Sequence, residues 1–303
     1  MSEISIIILN YNGFDETDKL AHSIGQWNTD LLDFSVIIVD NCSVDESYAK
    51  IKEKYSKLLH FDVIRSNRNG GYSYGNNYGI KYAIQKYHPT YIAIANPDVE
   101  IEQEVVINLL DTFKVNSKIA MCAPVMKTLD GAYNIYSQKL PGFIDDLKAC
   151  SVRARFRSVI EEDYCTIDEN KTCIPTELLP GSFFVIRTDC LLQIGMLDEN
   201  VFLYCEERIL GKRLKNAGYI AILRKDLFFT HAHAISTSKS MDIISRWKQV
   251  LKSRMYYQKT YERINWFQRI VLACAMCFYI LELRVLIAVR LNKPKGSKRK
   301  VSI

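Results

Sequence analysis

The sequence predicts an α/β fold, a sheet flanked by helices, followed by a helical, basic appendage. Three observations carry that expectation. Apolar, β-branched runs alternate with helically spaced segments through the first hundred residues, polar clusters follow the ends of those runs, and the positive charge is confined to the C-terminal fifth. Strand, helix, strand, helix, strand, helix, strand is the order of a parallel half-domain. Polar residues at its strand ends would converge on one edge, where ligands of open sheets bind. A chain of 303 residues holds one large domain, or one domain and an appendage. The expected division is 1–238 and 239–303.

Taken in order, Ile4 to Leu9 is a near-continuous apolar run, as in a strand buried on both faces. Residues 15–27 place Leu20, Ile24 and Trp27 at helical spacing behind Asp15. Phe34 to Val39 is a second buried strand, ending at Asp40. A helix is expected over 45–57, with Asp45 and Glu46 favourable near its positive end. Phe61 to Arg65 is a third strand, and a Gly- and Asn-rich stretch at 69–79 leads into a helix over 77–87. Tyr91 to Ala95 is the fourth strand and runs into Asn96-Pro97-Asp98. A helix over 102–114 and a strand from Ile119 to Ala123 continue the pattern. From 124 to 175 it loosens into charged, Tyr-rich sequence, with a helix expected near 144–160. Order returns with a strand from Leu178 to Ile186 and helices near 188–194 and 205–217. A last strand, Tyr219 to Leu223, is followed by Phe228-Phe229 and His231.

Hydrophobic residues at 48% and charged residues at 24% exclude a disordered chain. The net charge of +6 is unevenly spread: 239–303 carries 15 Lys and Arg against 3 Asp and Glu, the remainder 25 against 31. A largely acidic main domain with no recognition module argues against nucleic acid. The nine cysteines are scattered, and Cys274 and Cys277 lack the second pair that a zinc site needs. Free thiols in a reducing interior fit better. No basic-apolar leader precedes the first strand, so a cytoplasmic protein is expected. Ile270 to Leu281 is uncharged over twelve residues before Glu282 and Arg284, short of the ~18–20 that a bilayer span needs. Flanked by Arg269, Arg290 and a Lys-rich tail, 267–303 reads as an interfacial helix on the inner face of the cell membrane. A helix packed on protein, or at a homodimer interface, is the equal alternative.

The chemistry-bearing clusters each have two readings. Asp98 at a strand mouth suits Mg²⁺ or Mn²⁺, which take one or two carboxylates plus substrate phosphates; an Asn-Pro-Asp turn also simply caps strands. Gly70, Gly71 and Gly75, with Asn76 and Asn77, offer an anion or sugar a helix N-terminus, or else form a plain turn and cap. The segment matches neither a phosphate-binding Gly-Lys-Ser/Thr loop nor a dinucleotide fingerprint. Asp40 could accept from a pyrimidine N3–H or cap a turn. Glu206 and Glu207 follow Phe202-Leu203-Tyr204-Cys205, which would desolvate one of them into a better general base; they equally suit the first turn of a helix. His231 and His233 share a strand face, as ligands or as structural residues.

Their order and spacing resemble family-2 glycosyltransferases of the GT-A fold. The resemblance rests on Ile7-Ile8-Leu9-Asn10-Tyr11-Asn12, Ile37-Ile38-Val39-Asp40-Asn41, Asn69-Gly70-Gly71 through Gly79, and Asn96-Pro97-Asp98-Val99. It continues through Gly181-Ser182-Phe183-Phe184, Ile194-Gly195-Met196-Leu197-Asp198-Glu199, Phe202 to Glu207, Arg213 and His231, in collinear order over about 3–238. The branch it is most similar to is the rhamnosyltransferase-like enzymes of bacterial surface polysaccharides. The resemblance implies a Rossmann-like mixed sheet and metal-dependent, inverting hexosyl or rhamnosyl transfer from a UDP- or dTDP-sugar to a glycan or lipid-linked acceptor. It implies that Asn10, Asn12 and Asp40 border the nucleotide, and that Asn69, Gly70, Asn76, Asn77 and Asn96 line the donor pocket. Asp98 and His231 would hold Mg²⁺ or Mn²⁺, with Arg213 adding charge near the leaving group. Glu207 would be the base, with Glu206 beside it. Glu207 stands where the family has Asp, and Ile209 where it has a further acid. The rival classes are a non-catalytic sugar-nucleotide binding protein and a sugar-nucleotide nucleotidyltransferase. Asn10-Tyr11-Asn12-Gly13 is unlike the Gly-rich, basic loop with which the latter opens.

Overall fold

A computed structural model describes residues 2–128, 133–134, 139–150, 172–231 and 242–291. The first four strands are β1 (Ile4–Asn10), β2 (Phe34–Asp40), β3 (Phe61–Arg65) and β4 (Tyr91–Ala95), joined by the crossover helices α1 (Phe14–Ile24), α2 (Ser47–Tyr55) and α3 (Tyr72–Tyr87). They are parallel in the order β3-β2-β1-β4. Side chains alternate between two cores. Ile4, Ile6 and Ile8 join Phe34, Val36 and Ile38 on one face, while Ile7, Ile37 and Val39 face the other. Burial on both faces explains why the strands read as unbroken apolar runs. The register that begins Ile4↔Phe34 ends Asn10↔Asp40, which brings both polar residues to the carboxyl edge.

The helix expected over 77–87 begins at Tyr72. Asn76 and Asn77 are therefore within the helix and not at its cap. Gly75 and Gly79 are close-approach positions: a Cβ at Gly75 would overlap the Leu9 side chain, and one at Gly79 those of Val39 and Ile7. Glycines that look like turn residues in the sequence let α3 lie against β1 and β2.

The chain continues through β5 (Val99–Glu100), α4 (Gln103–Lys114), β6 (Ile119–Thr128), β7 (Tyr133–Asn134), α5 (Phe143–Lys148), β8 (Cys173–Thr176), β9 (Phe183–Arg187), α6 (Thr188–Gln193), α7 (Glu206–Asn216) and β10 (Ile220–His231). The sheet is mixed, in the order β3-β2-β1-β4-β9-β6-β10-β5. β9 is antiparallel to both β4 and β6. The strand expected from 178 starts at Phe183, because Gly181 and Ser182 form a turn. The expected break between Leu223 and Phe228 is a register shift within one long strand, a bulge. Glu206-Glu207 opens α7 and does not end a strand.

By compactness the described residues of 1–140 and 163–241 form one unit, and those of 141–162 and 242–303 another. Sequence reading left 141–162 in the larger domain; α5 instead groups with α8 (Ile243–Thr260) and α9 (Trp266–Leu291). In this second unit Cys150, Leu251, Ile264, Leu272, Met276 and Tyr279 form a core. Asp242 caps α8 by accepting from the amides of Ile244 and Ser245. The buried Asp146 carboxylate accepts from the Gln258 amide at 2.8 Å and faces Arg254 at 3.7 Å. α9 passes through Glu282 and Arg284, and Trp266–Val289 is long and apolar enough to cross a membrane by length and composition. The twelve-residue count thus understated the apolar helix, because a strictly uncharged run ends at the first charge. Residues 151–160 of the helix expected near 144–160, together with His233 and the tail from 293, lie outside the described residues.

Candidate active site

Two side-chain clusters meet on the Gly181-Ser182 turn. In the first, His231 ends β10 and pairs with Val99 of β5, which sets it beside Asp98. His231 Nε2 lies 3.1 Å from Asp98 Oδ1, and Nδ1 lies 3.3 Å from Met126 Sδ. Their side chains are only 11% and 8% exposed. The Asn96 amide donates to the Ser182 carbonyl at 2.8 Å, fixing the turn that carries Asp98. One carboxylate and one imidazole side by side are a donor set that fits Mg²⁺ or Mn²⁺, with the remaining positions left to phosphate and water. Among the described residues no group of three or more His, Cys, Asp or Glu forms a cage.

The second cluster holds the two glutamates. Tyr204 and Cys205 both have left-handed backbone, φ 70° and 69°, as the chain turns into α7. Such conformations cost on the order of 1–3 kcal/mol each and persist where the surroundings fix them. Gly71, at φ 87°, packs so tightly under Phe202 that a Cβ would overlap its carbonyl oxygen, and the Tyr72 amide donates to that oxygen at 3.0 Å. The Gly-rich loop is thereby tied to the approach to Glu206. The Tyr72 hydroxyl donates to the Gly181 carbonyl. A Cβ on Gly181 would stand 3.8 Å from Glu207 Oε2 and 4.0 Å from that hydroxyl. Burial, then the neighbouring Glu206 and Glu207, push the Tyr72 pKa well up, which keeps the hydroxyl a donor.

Glu206 is buried, and its Oε1 has no hydrogen-bond partner among the described residues. Burial and then the charge of Glu207 push its pKa up to about 8 from an ordinary 4.5. Between those values the folded state holds the extra proton, so stability from this group falls as pH rises from 4.5 to 8. Glu206→Gln is therefore expected to melt higher than the parent above pH 8 and to lose that advantage near pH 4.5. Thermal melts at both pH values check this; an equal difference at each would refute the buried, neutral carboxyl.

Several expected donor-binding residues make internal hydrogen bonds. Asn10 is fully buried: its amide donates to Asp40 Oδ2 at 2.9 Å and Ser43 Oγ at 3.2 Å, and its oxygen accepts from Thr17 at 2.9 Å. Asp40 is also fully buried, accepts from the Ser43 amide and faces Arg65 at 3.4 Å, which is the turn-capping arrangement. Asn12, at φ 52°, takes the Val44 amide on its side chain. Asn77 clamps Leu197 and Glu199. Arg213 donates to the Met196 carbonyl at 2.7 Å and faces Asp198, so it holds the 195–198 turn. Asn69 accepts from Asn41 and the Gly71 amide, shaping the loop beside Gly70. Asn76 donates to the Tyr72 carbonyl, but among the described residues its buried Oδ1 has no hydrogen-bond partner, and neither has the Ser73 hydroxyl.

Tyr72 and Met126 were given no role from the sequence, and Asn41 was read only as a capping-type residue beside Asp40. Asn41 is a hub, donating to Asn69 and the Gly71 carbonyl while accepting from Ser66. Its sequence signals were its amide side chain and its place after Asp40; Tyr72 stood within the Asn69–Gly79 motif without a role of its own, and Met126 gave no signal. A separate cleft of about 620 Å³ is bordered by Lys19, Glu100, Glu104, Lys127 and Phe228; neither glutamate of α7, nor Asp98, nor His231 lines it.

The profile of the family described as Glycosyl transferase family 2 matches residues 5–195. The low-salt glycan biosynthesis hexosyltransferase Agl10 of Haloferax volcanii is 28% identical over 209 residues, which cover 68% of this chain and 60% of that protein. The N-acetylglucosaminyl-diphospho-decaprenol L-rhamnosyltransferase of Mycobacterium tuberculosis is 24% identical over 221 residues, 68% of each chain. Among solved structures, GalNAc-T7 with UDP, GalNAc and Mn2+ matches with a TM-score of 0.59 at 14% identity, over 78% of this chain and 44% of that one. The chain thus spans less than two thirds of Agl10 and of GalNAc-T7. The likeness to GalNAc-T7 shows a shared GT-A fold.

Proposed function

This chain belongs to glycosyl transferase family 2, and we propose that it moves a hexosyl or rhamnosyl group from a UDP- or dTDP-sugar to a glycan or lipid-linked acceptor, with inversion. The observation that carries this reading is the meeting of the Asp98–His231 pair and the Glu207 cluster on one turn, Gly181-Ser182. The relatives' names, a hexosyltransferase of glycan biosynthesis and a lipid-diphosphate rhamnosyltransferase, support a role in surface-polysaccharide assembly. An acceptor of that kind puts the reaction at the inner face of the cell membrane.

Glu207 takes the proton of the acceptor hydroxyl, a contribution of about 10²–10⁴-fold. The freed oxygen bonds to the anomeric carbon as the bond to the diphosphate oxygen breaks, and the diphosphate leaves with the electron pair. Attack from the face opposite the leaving group inverts the configuration. Glu206, buried and held neutral up to about pH 8, leaves Glu207 as the working base. Asp98 and His231 would hold Mg²⁺ or Mn²⁺, with Asp98 supplying the charge. The cation, when bound, neutralises the departing diphosphate as a Lewis acid. Among the described residues the Asn76 oxygen and the Ser73 hydroxyl are buried without a hydrogen-bond partner, in the first turns of the helix that follows the Gly-rich loop.

A panel of UDP-, dTDP- and GDP-sugars, with and without Mn²⁺, tests this by released diphosphate. Turnover of one donor, stimulated by the metal, is expected. Tight binding without release in the presence of lipid and glycan acceptors would leave a non-catalytic sugar-nucleotide binder. Neither binding nor release across the panel sinks the proposal.

A further inference from the structure

The face of α9 turned away from its own core has a chemistry that the transferase reading does not use. Leu272, Met276 and Tyr279 form the buried stripe of the helix, packed in one core with Leu251 of α8, and Trp247 meets Tyr279 edge-on at 5.3 Å. On the other side Phe267, Ile270, Phe278, Leu281, Val285 and Val289 are between 53% and 70% exposed. At 3.6 residues per turn these six share one face. Trp266, 72% exposed, stands at its start. Within Trp266–Val289 the most apolar 18-residue window has a mean hydropathy of 2.3, and only 17% of that window is buried. So large an apolar face on a soluble surface marks an interaction site.

Charge identifies the occupant. Residues 239–303 hold 15 Lys and Arg against 3 Asp and Glu, while the rest of the chain is net acidic. An anionic leaflet therefore attracts this segment and repels the remainder. We propose that the exposed face of α9 docks on an anionic lipid bilayer and lies in the plane of the interface. A span is disfavoured because α8 is packed alongside and carries exposed Lys248, Lys252 and Lys259. Each lysine carried toward the bilayer centre would cost about 2.5–3.5 kcal/mol or more. In-plane docking instead buries the apolar face about 5–10 Å deep and leaves the basic side chains among the headgroups. The inference stands on the second unit alone and does not depend on the transferase reading.

The test is co-sedimentation of the full chain with vesicles of phosphatidylcholine alone or mixed with phosphatidylglycerol. Binding is expected to the mixed vesicles, weakened by salt and reversed by a high-salt wash. Phe278→Glu with Leu281→Glu changes two exposed side chains and is expected to lower vesicle affinity about tenfold or more. Its circular dichroism and melting should match the parent. Failure of the parent to bind, or equal binding by the variant, overturns the proposal. Binding that survives a high-salt, alkaline wash replaces it with a spanning helix. A parent dimer that the variant splits, without vesicle binding, assigns the face to a second copy of the chain.

Discussion

Glu207→Gln is expected to lower kcat by about 10²–10⁴-fold while leaving donor affinity nearly unchanged. The amide keeps the size and shape of the side chain beside Gly181 and Tyr72 but has no basic oxygen to take the acceptor proton. Glu207 is not part of the Asp98–His231 pair, so the ground-state contacts of the donor should persist. Loss confined to kcat is the mark of a group that acts in the transition state. The neighbouring carboxyl provides the internal control. Glu206 is raised by burial and by the charge of Glu207, and removal of that charge brings its pKa down. If Glu206 were the base, Glu206→Gln would abolish turnover and Glu207→Gln would shift the pH profile to lower pH. Single-turnover rates and donor titrations of both variants across pH decide between them. Full turnover by Glu207→Gln overturns its assignment as base.

The half of the fold that was legible owes this to burial on both sides of the sheet. Ile4 to Leu9, Phe34 to Val39 and Tyr91 to Ala95 have no solvent face to interrupt them, so their apolar runs announce strands directly. The polar residues at their ends were equally visible, but their roles were not. Asn10 and Asp40 read as residues bordering a nucleotide, with turn capping as the other reading of Asp40. The structure adds that both are wholly buried, Asn10 bonded to Ser43 and Thr17, and Asp40 to Ser43 with Arg65 facing it. Sequence places a residue at the edge of a sheet; it does not say whether neighbours thirty residues away have already taken its hydrogen bonds. The start of α3 was hidden for a related reason. Gly75 signals a turn unless one knows that Leu9 lies where its Cβ would be. The pairing of Asp98 with His231 depends on the antiparallel register of β5 on β10, two short-range features separated by more than a hundred residues. The reach of α9 was underestimated because Glu282 and Arg284 interrupt a charge-free count without interrupting a helix.

Asp98→Ala is expected to abolish metal stimulation, with diphosphate release falling on the order of 10²-fold or more. Neutralising the leaving group is worth several kcal/mol, and each 1.4 kcal/mol or so is a factor of ten. The alanine variant alone leaves two explanations, because Asp98 both carries a charge and orients His231 through the 3.1 Å contact with Nε2. Asp98→Asn separates them. An amide oxygen can still accept from Nε2 and keep the ring facing the site, but it brings no negative charge to a cation. If Asp98 is a ligand, the asparagine variant should resemble alanine in metal titrations followed by calorimetry, with melting close to the parent. If Asp98 serves only to position His231, asparagine should retain parental turnover and metal response. His231→Ala should then be the variant that fails. A ligand role for both residues predicts that either substitution weakens Mn²⁺ binding, and that the asparagine variant loses it without any loss of fold.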